Sequence, residues 1–310
     1  MNKNLYLNNS EKDWLLRIRS ILNKTKKNQI ILPPNDEIWY TSVSGNAINF
    51  TDLSEIIKSN TYNNGKGIIK FKEALTSIPE IFSWNEELVS VVIPDSITSI
   101  GGSVFSQCTR LTSINIPSSV TSIGDCSFEY CSNLTSINIP NSVTSIGFGV
   151  FRFCKKLTSI NIPDSITNTK IDDETFHGCT NLTSINIPNS VTSFGEDVFM
   201  GCTNLTSINI PNSVTSIPSS MCYGCTSLTS IRIPSLVTEI GYCAFTGCTN
   251  LESIVCEAIN PPTIEDDGLG EDVFTNTGSC PIYVPTESVS AYKSATPVWS
   301  KYESRIHPIQ

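Results

Sequence analysis

Leucine recurs at positions 88, 111, 134, 157, 182, 205, 228 and 251, with gaps of 23, 23, 23, 25, 23, 23 and 23 residues. A period this constant constrains the fold more than any single residue does. Self-similarity at 20–50 residues is the mark of stacked coils, each too small to bury its apolar side without a neighbour. The unit that starts at Leu134 reads Leu-Thr-Ser-Ile-Asn-Ile-Pro-Asn-Ser-Val-Thr-Ser-Ile-Gly, then a variable stretch, then Phe151 and Cys154. The one longer gap comes from two extra residues near Asn168, Thr169 and Lys170. A degenerate earlier unit is expected from Gly67, with Ile68, Ile69 and Phe71 as its strand and Phe82 in the phenylalanine slot.

Alternation sets the geometry of one unit. Ile137 and Ile139 point one way while Ser136 and Asn138 point the other, the period of a strand. The proline then ends the ladder because it has no N–H to donate. Val143 and Ile146 turn back inward, Gly147 permits a corner, and Phe151 and Cys154 close the coil. With strands about 4.8 Å apart, nine coils predict a rod of roughly 40 Å.

The pattern Cys-x-x-Leu-x-x-Ile-x-Ile-Pro-x-x-Val-x-x-Ile-Gly, with Phe three residues before the next Cys, resembles the BspA-like, or Treponema-pallidum-type, leucine-rich repeat family. The segment from Ile254 to Glu257, the Asn260-Pro-Pro turn, Cys280-Pro-Ile-Tyr-Val-Pro and Ser290-Ala-Tyr-Lys-Ser-Ala look like the end cap of such proteins from gut Bacteroidetes. Glu37-Ile-Trp-Tyr-Thr-Ser and Asn60-Thr-Tyr-Asn-Asn-Gly-Lys-Gly look like the start cap of the same group. The resemblance implies a right-handed leucine-rich repeat solenoid, poor in helix and built mainly of short β-strands, with a small N-terminal helical and hairpin appendage. It also implies a protein-binding or adhesive role, usually on a cell surface. The expected organisation is an N-terminal helix and hairpin region over 1–66, a solenoid over 67–273 and a C-terminal cap over 274–310.

Seven of the twelve cysteines, Cys108, Cys131, Cys154, Cys179, Cys202, Cys225 and Cys248, stand three residues before a repeat leucine. This spacing predicts a ladder of buried thiols acting as small hydrophobes. Parallel stacking is poor geometry for disulfides. Cys222-Tyr-Gly-Cys225 has the look of half a zinc site, but the repeat explains both positions: Cys225 is a ladder thiol and Cys222 sits where other coils have phenylalanine. That coil should be underfilled, with Met221 as the compensation. Cys126 and Cys243 share a position five before the ladder cysteine, and a Cys256–Cys280 disulfide in the end cap is left open. No metal or cofactor is called for.

Two surfaces are candidates for binding. The outward strand positions Val92, Asn115, Asn138, Asn161, Asn186, Asn209, Arg232 and Val255, beside a row of serines, read either as a solvated sheet held by cross-strand polar contacts or as a flat docking face. Sequence diversity is concentrated between the glycine corner and the cysteine. There Tyr130, Phe148, Arg152, Phe153, Met200, Tyr223 and Tyr242 supply the residue types enriched at interfaces, with Glu129, His177, Lys155 and Lys156 nearby. Phe148, Arg152 and Phe153, next to Tyr130 of the preceding unit, form the best patch; the alternative is that these rings pack over adjacent coils.

Charge is divided along the chain. Residues 1–72 carry 11 Lys/Arg and 6 Asp/Glu, whereas residues 73–310 carry 9 and 23. Trp14, Leu15, Ile18, Ile21 and Leu22 fall on one face of an amphipathic helix, so residues 1–35 read as an attachment or self-association segment through Trp14 and Ile18, or as a solvated helix. Arginines interrupt its apolar stretch, so no export signal is evident, and no run reaches the length of a membrane span. Net charge of −9 and only two histidines argue against nucleic-acid binding and His-based metal or acid–base chemistry. The acidic stretch Glu265 to Asp272 offers oxygen ligands for calcium but matches no EF-hand spacing. There is no phosphate-binding loop and no nucleophile elbow. Asn-Leu-Thr at 133, 181 and 204 matches a glycosylation acceptor only because the repeat recurs. The leading expectation is a non-catalytic binding or adhesion module for a protein or glycan surface. A bacteriophage tail or fibre component and an intracellular scaffold stand as alternatives.

Overall fold

The computed structural model describes residues 32–50, 54–167, 170–265 and 272–310. It begins with an antiparallel cap. Strands β1 (Glu37–Ser42), β2 (Ile57–Asn63), β3 (Lys66–Phe71) and β4 (Leu88–Val92) form a sheet in the order β2-β3-β1-β4, which continues into strand Ser113–Asn115. Asn64 and Gly65, at φ 52° and 78°, make the two-residue turn that joins β2 to β3. Tyr40 lies opposite Gly67, and its ring fills the space a Cβ there would need, at 2.2 Å. The Tyr40 hydroxyl donates to Asn60 Oδ1 at 2.8 Å and accepts the Ile48 amide at 3.0 Å, tying the cap together.

This cap corrects one expectation. Residues 67–71 do form a strand with Ile69 and Phe71 buried, but the strand runs antiparallel to β1 and β2 rather than opening the parallel stack. β1 takes the place beside β4. Val92 is consequently buried opposite Trp39, although its place in the repeat puts it in the outward row.

From β4 onward the chain winds through about nine coils. Strands such as Ser159–Asn161 and Ser184–Asn186 pair parallel and in exact repeat register, as do shorter strands such as Ser99–Ile100, Ser122–Ile123 and Ser145–Ile146 on a second side. The proline that ends each repeat strand opens a turn in which its carbonyl accepts the amide three residues on, as in Pro140 to Val143 at 3.0 Å. Threonine hydroxyls reach a backbone carbonyl of the coil before, for example Thr121 to Thr98 and Thr144 to Thr121 at 3.1 and 3.2 Å. The polar faces are thus stitched through side chain–backbone bonds more than through the side-chain pairs expected from the sequence.

The core holds two ladders. The Phe rings at 82, 105, 128, 151, 176 and 199 stack with centroid spacings of 5.4–5.7 Å. Such contacts add about 0.5–1.5 kcal/mol each beyond area burial. The seven ladder thiols are fully buried, and each donates to the carbonyl of the Phe-slot residue one coil earlier, as Cys154 does to Phe128 at 3.1 Å. A thiol therefore serves both as a small hydrophobe and as a donor to a buried carbonyl. Burial pushes the thiols of Cys131, Cys154, Cys179 and Cys202 well above the usual range. In the first coil Asn85 occupies the thiol slot, and its Oδ1 accepts the amides of Glu87 and Leu88, both at 3.0 Å.

Phe274, Tyr292 and Trp299 close the far end. Phe274 stacks on Phe245 at 6.0 Å, and the Trp299 indole donates to the Pro262 carbonyl at 2.7 Å. Tyr292 projects from helix α1 (Val289–Ser294) onto the Cys256 thiol and the Ala258 carbonyl. Cys256 and Cys280 are not paired: the first meets Tyr292, the second the Arg305 guanidinium at 3.0 Å.

Candidate functional site

Between the glycine corner and the ladder cysteine, each coil makes a tight turn with the residue just before the cysteine at positive φ. In four successive coils that residue is glycine: Gly178, Gly201, Gly224 and Gly247. In the four coils before them it is Trp84, Gln107, Tyr130 and Phe153, at φ 62°, 61°, 56° and 56°. Left-handed backbone costs an L-residue roughly 1–2 kcal/mol. Three of these four strained positions carry aromatic rings where the same fold accepts glycine, and strain of this kind tends to gather at functional surfaces.

The structure brings Tyr130, Phe153 and Arg152 together. The two rings stack at 4.6 Å, and the Arg152 guanidinium lies 5.2 Å from the Phe153 centroid. Arg152 also joins two carboxylates, Glu129 at 3.4 Å and Glu174 at 2.7 Å. Glu174 in turn meets His177 Nδ1 at 3.5 Å, and the His177 ring lies 4.9 Å from Phe153. Cys126 stands close to this cluster; its thiol is pushed up by partial burial and then by the charges of Glu129 and Asp125.

Where the aromatics give way to glycine, the surface sinks into a groove of about 380 Å³ along the rod. Its floor is Gly178, Gly201 and Gly224. One wall is the row two before the cysteine, His177, Met200 and Tyr223; the other is the row just after it, Lys155, Thr180 and Thr203. Phe153 closes one end, its ring lying where a Cβ on Gly178 would stand, at 2.4 Å.

Of the sequence candidates, Tyr130, Arg152, Phe153, Met200 and Tyr223 fall on this cluster or groove. All are half-buried, so the rings both pack over neighbouring coils and present an edge to solvent. Phe148 and Tyr242 lie elsewhere, on the corner row six residues before the cysteine, where their amides bond to Asp125 and Glu265 carboxylates at 2.9 and 3.2 Å. Trp14 and Ile18 lie outside the described residues, as does most of the acidic stretch after Glu265. Asp272 is engaged in the end cap by Tyr302, Thr275 and Lys301. Among the described residues no cluster of metal-ligating side chains occurs, and no helix is long and apolar enough to cross a membrane.

Trp84 was missed by sequence reasoning, although it is 73% exposed and heads the aromatic row. The signal was present: it stands 23 residues before Gln107 and two after Phe82. The groove was missed too, because glycine looks like the absence of a site until the rows beside it are seen to rise above it.

The family model described as "BspA type Leucine rich repeat region" matches residues 34–125, 55–170 and 169–289, with six copies. No curated protein matches the chain. Among solved structures, the chain is similar to a leucine rich cell surface protein from Faecalibacterium prausnitzii A2-165, 27% identical over 73% of this chain and 68% of the other, with a TM-score of 0.45. The leucine-rich repeat protein of T. pallidum is 28% identical over 53% and 78%, with a TM-score of 0.48. A leucine-rich repeat protein from Eubacterium ventriosum ATCC 27560 is 25% identical over 61% and 50%, with a TM-score of 0.47.

Proposed function

We propose, from the premise that the chain belongs to the BspA-type leucine-rich repeat family, that it is a non-catalytic binding or adhesion module for a protein or glycan surface. The observation that carries the reading is the contrast between the two halves of each coil. The ladder positions repeat almost without change, while the turn rows change from coil to coil and gather Trp84, Tyr130, Arg152, Phe153, Met200 and Tyr223 along one side of the rod. Aromatic, Met and Arg side chains are what interfaces use as anchors. Phe148 and Tyr242 extend the proposed surface along the corner row. We take residues 1–66 as an attachment or cap region, 67–273 as the solenoid and 274–310 as the end cap, with the β2–β3 hairpin lying across the first boundary. The attachment role of Trp14 and Ile18 rests on sequence alone. Neither a virion role nor an intracellular scaffold finds a supporting feature in the fold.

The test is a triple substitution of Phe148, Arg152 and Phe153 by Ser in the full chain, read on arrays of purified extracellular proteins and of glycans, with circular dichroism to confirm the fold. Binding should fall at least tenfold. A folded triple variant that binds as the parent does refutes the assignment of this face.

A further inference from the structure

We infer that the groove takes an extended acidic peptide segment lying along the rod, an inference that rests on the reading of this face as a binding surface. The groove crosses the coils from Phe153 to Gly224. At about 4.8 Å per coil it is roughly 15 Å long, which holds about four residues of extended chain at about 3.3 Å each.

Its chemistry narrows the occupant. The floor presents bare backbone whose amides are already committed: Gly178 and Gly201 donate to the carbonyls of Met200 and Tyr223, both at 2.8 Å. Nothing lies within 4 Å of where a Cβ on Gly224 would stand, so the trough is open at that coil. Grip must come from the walls, and the wall formed by Met200 and Tyr223, with Phe153 at the end, is mostly apolar. The Thr180 and Thr203 hydroxyls already donate to the carbonyls of Lys155 and Thr180. A sugar needs partners for most of its hydroxyls and finds few here. Peptide side chains need an adaptable apolar surface, which methionine and aromatic residues provide.

Charge supplies the sign. Residues 73–310 hold 23 acidic residues against 9 basic ones, yet no residue lining the groove is acidic. Arg152, Lys170, Arg232 and Lys301 each have a carboxylate partner. The other five basic residues have none among the described residues, and of these only Lys155 lines the groove, exposed on its rim. An unpaired ammonium beside an apolar trough, on an otherwise acidic rod, is complementary to a ligand carboxylate next to apolar side chains.

The probe is a set of fluorescein-labelled octapeptides that combine Asp or Glu with Leu or Phe in all orders, titrated against the full chain by polarisation. Acidic members should bind, and Lys155→Glu should weaken them at least tenfold while Lys155→Arg retains them. The charge-matched control Lys293→Glu, in the end cap, should leave them within about twofold. No binding by any octapeptide, or binding that ignores Lys155→Glu, overturns the inference. The same variants on a glycan array separate the two levels. Glycan binding that depends on Lys155, without peptide binding, overturns the peptide inference and leaves the binding face standing. A folded protein that binds no octapeptide, no glycan and no protein on the extracellular-protein array overturns both.

Discussion

Replacing Cys222 by Phe and Met221 by Val together should stabilise the rod, while either change alone should weaken it. The phenylalanine stack runs unbroken from Phe82 to Phe199, stops at Cys222, and resumes between Phe245 and Phe274. Cys222 and Met221 are both fully buried. The slot of Met221 holds Val104, Val150 and Val198 in three other coils and the still smaller Ser127, Thr175 and Ala244 in three more, so the larger methionine stands where a ring is missing. Cys222→Phe alone forces a ring into space that Met221 occupies, and overpacking of this kind costs about 1–3 kcal/mol. Met221→Val alone removes buried apolar atoms without replacing them, at about 1–2 kcal/mol. The double variant makes two new ring contacts, toward Phe199 and Phe245, worth about 0.5–1.5 kcal/mol each. The pair should therefore show favourable coupling of at least about 2 kcal/mol in a double-mutant cycle. Urea denaturation followed by circular dichroism measures it, with unchanged m values as the check that the unfolding reaction is the same. Additivity within about 0.5 kcal/mol would refute the claim that Met221 fills the missing ring's space.

Three further outcomes are expected. Stability should fall steeply above about pH 9: the folded thiols are held protonated, with Cys256 pushed up to about 11 and Cys108 to about 12, mainly by burial, whereas unfolded thiols ionise near 9. The unfolded state then binds fewer protons, each buried thiol withdraws up to about 1.4 kcal/mol per pH unit, and Cys154→Ala should make the decline in a pH series of melts shallower by one thiol. Gly241→Ala should destabilise far more than Gly224→Ala in the urea midpoint. A Cβ at 241 meets the Ser219 amide nitrogen at 2.4 Å, whereas one at 224 meets open space and carries only the left-handed cost of about 1–2 kcal/mol. Trp84→Gly should leave stability unchanged or raise it by up to about 1 kcal/mol, because an exposed ring at φ 62° strains its own backbone; a loss above about 1 kcal/mol shows that the ring packs after all.

The coil interior was legible because each slot is set by burial, and burial repeats every 23 residues. Leu134, Ile137, Val143, Phe151 and Cys154 all point where alternation and spacing place them. The hydrogen bond each thiol makes was not legible, since a buried cysteine reads as a hydrophobe and its acceptor is a backbone atom in another coil. The strand over 67–71 was misplaced for a related reason. Alternation in Ile68 to Phe71 says which residues face inward but not which strand lies alongside or in which direction. In the turn rows the difficulty was angular: Phe148 and Phe153 are five apart in an irregular turn with two left-handed residues, and sequence spacing does not give the direction in which each points. Trp84 escaped notice because Asn85 replaces the cysteine that marks the register elsewhere.

The ladder thiols and the threonine hydroxyls at 121, 144 and 206 share one direction: each donates to a carbonyl of the coil before. A ribosome delivers coils in that same order. For these bonds each new coil meets acceptors that are already in place, whereas turn amides such as those of Gly178 and Gly201 wait for the carbonyls of the coil that follows. The apolar face left bare at any moment is only the newest one, until Phe274, Tyr292 and Trp299 arrive last and cover it.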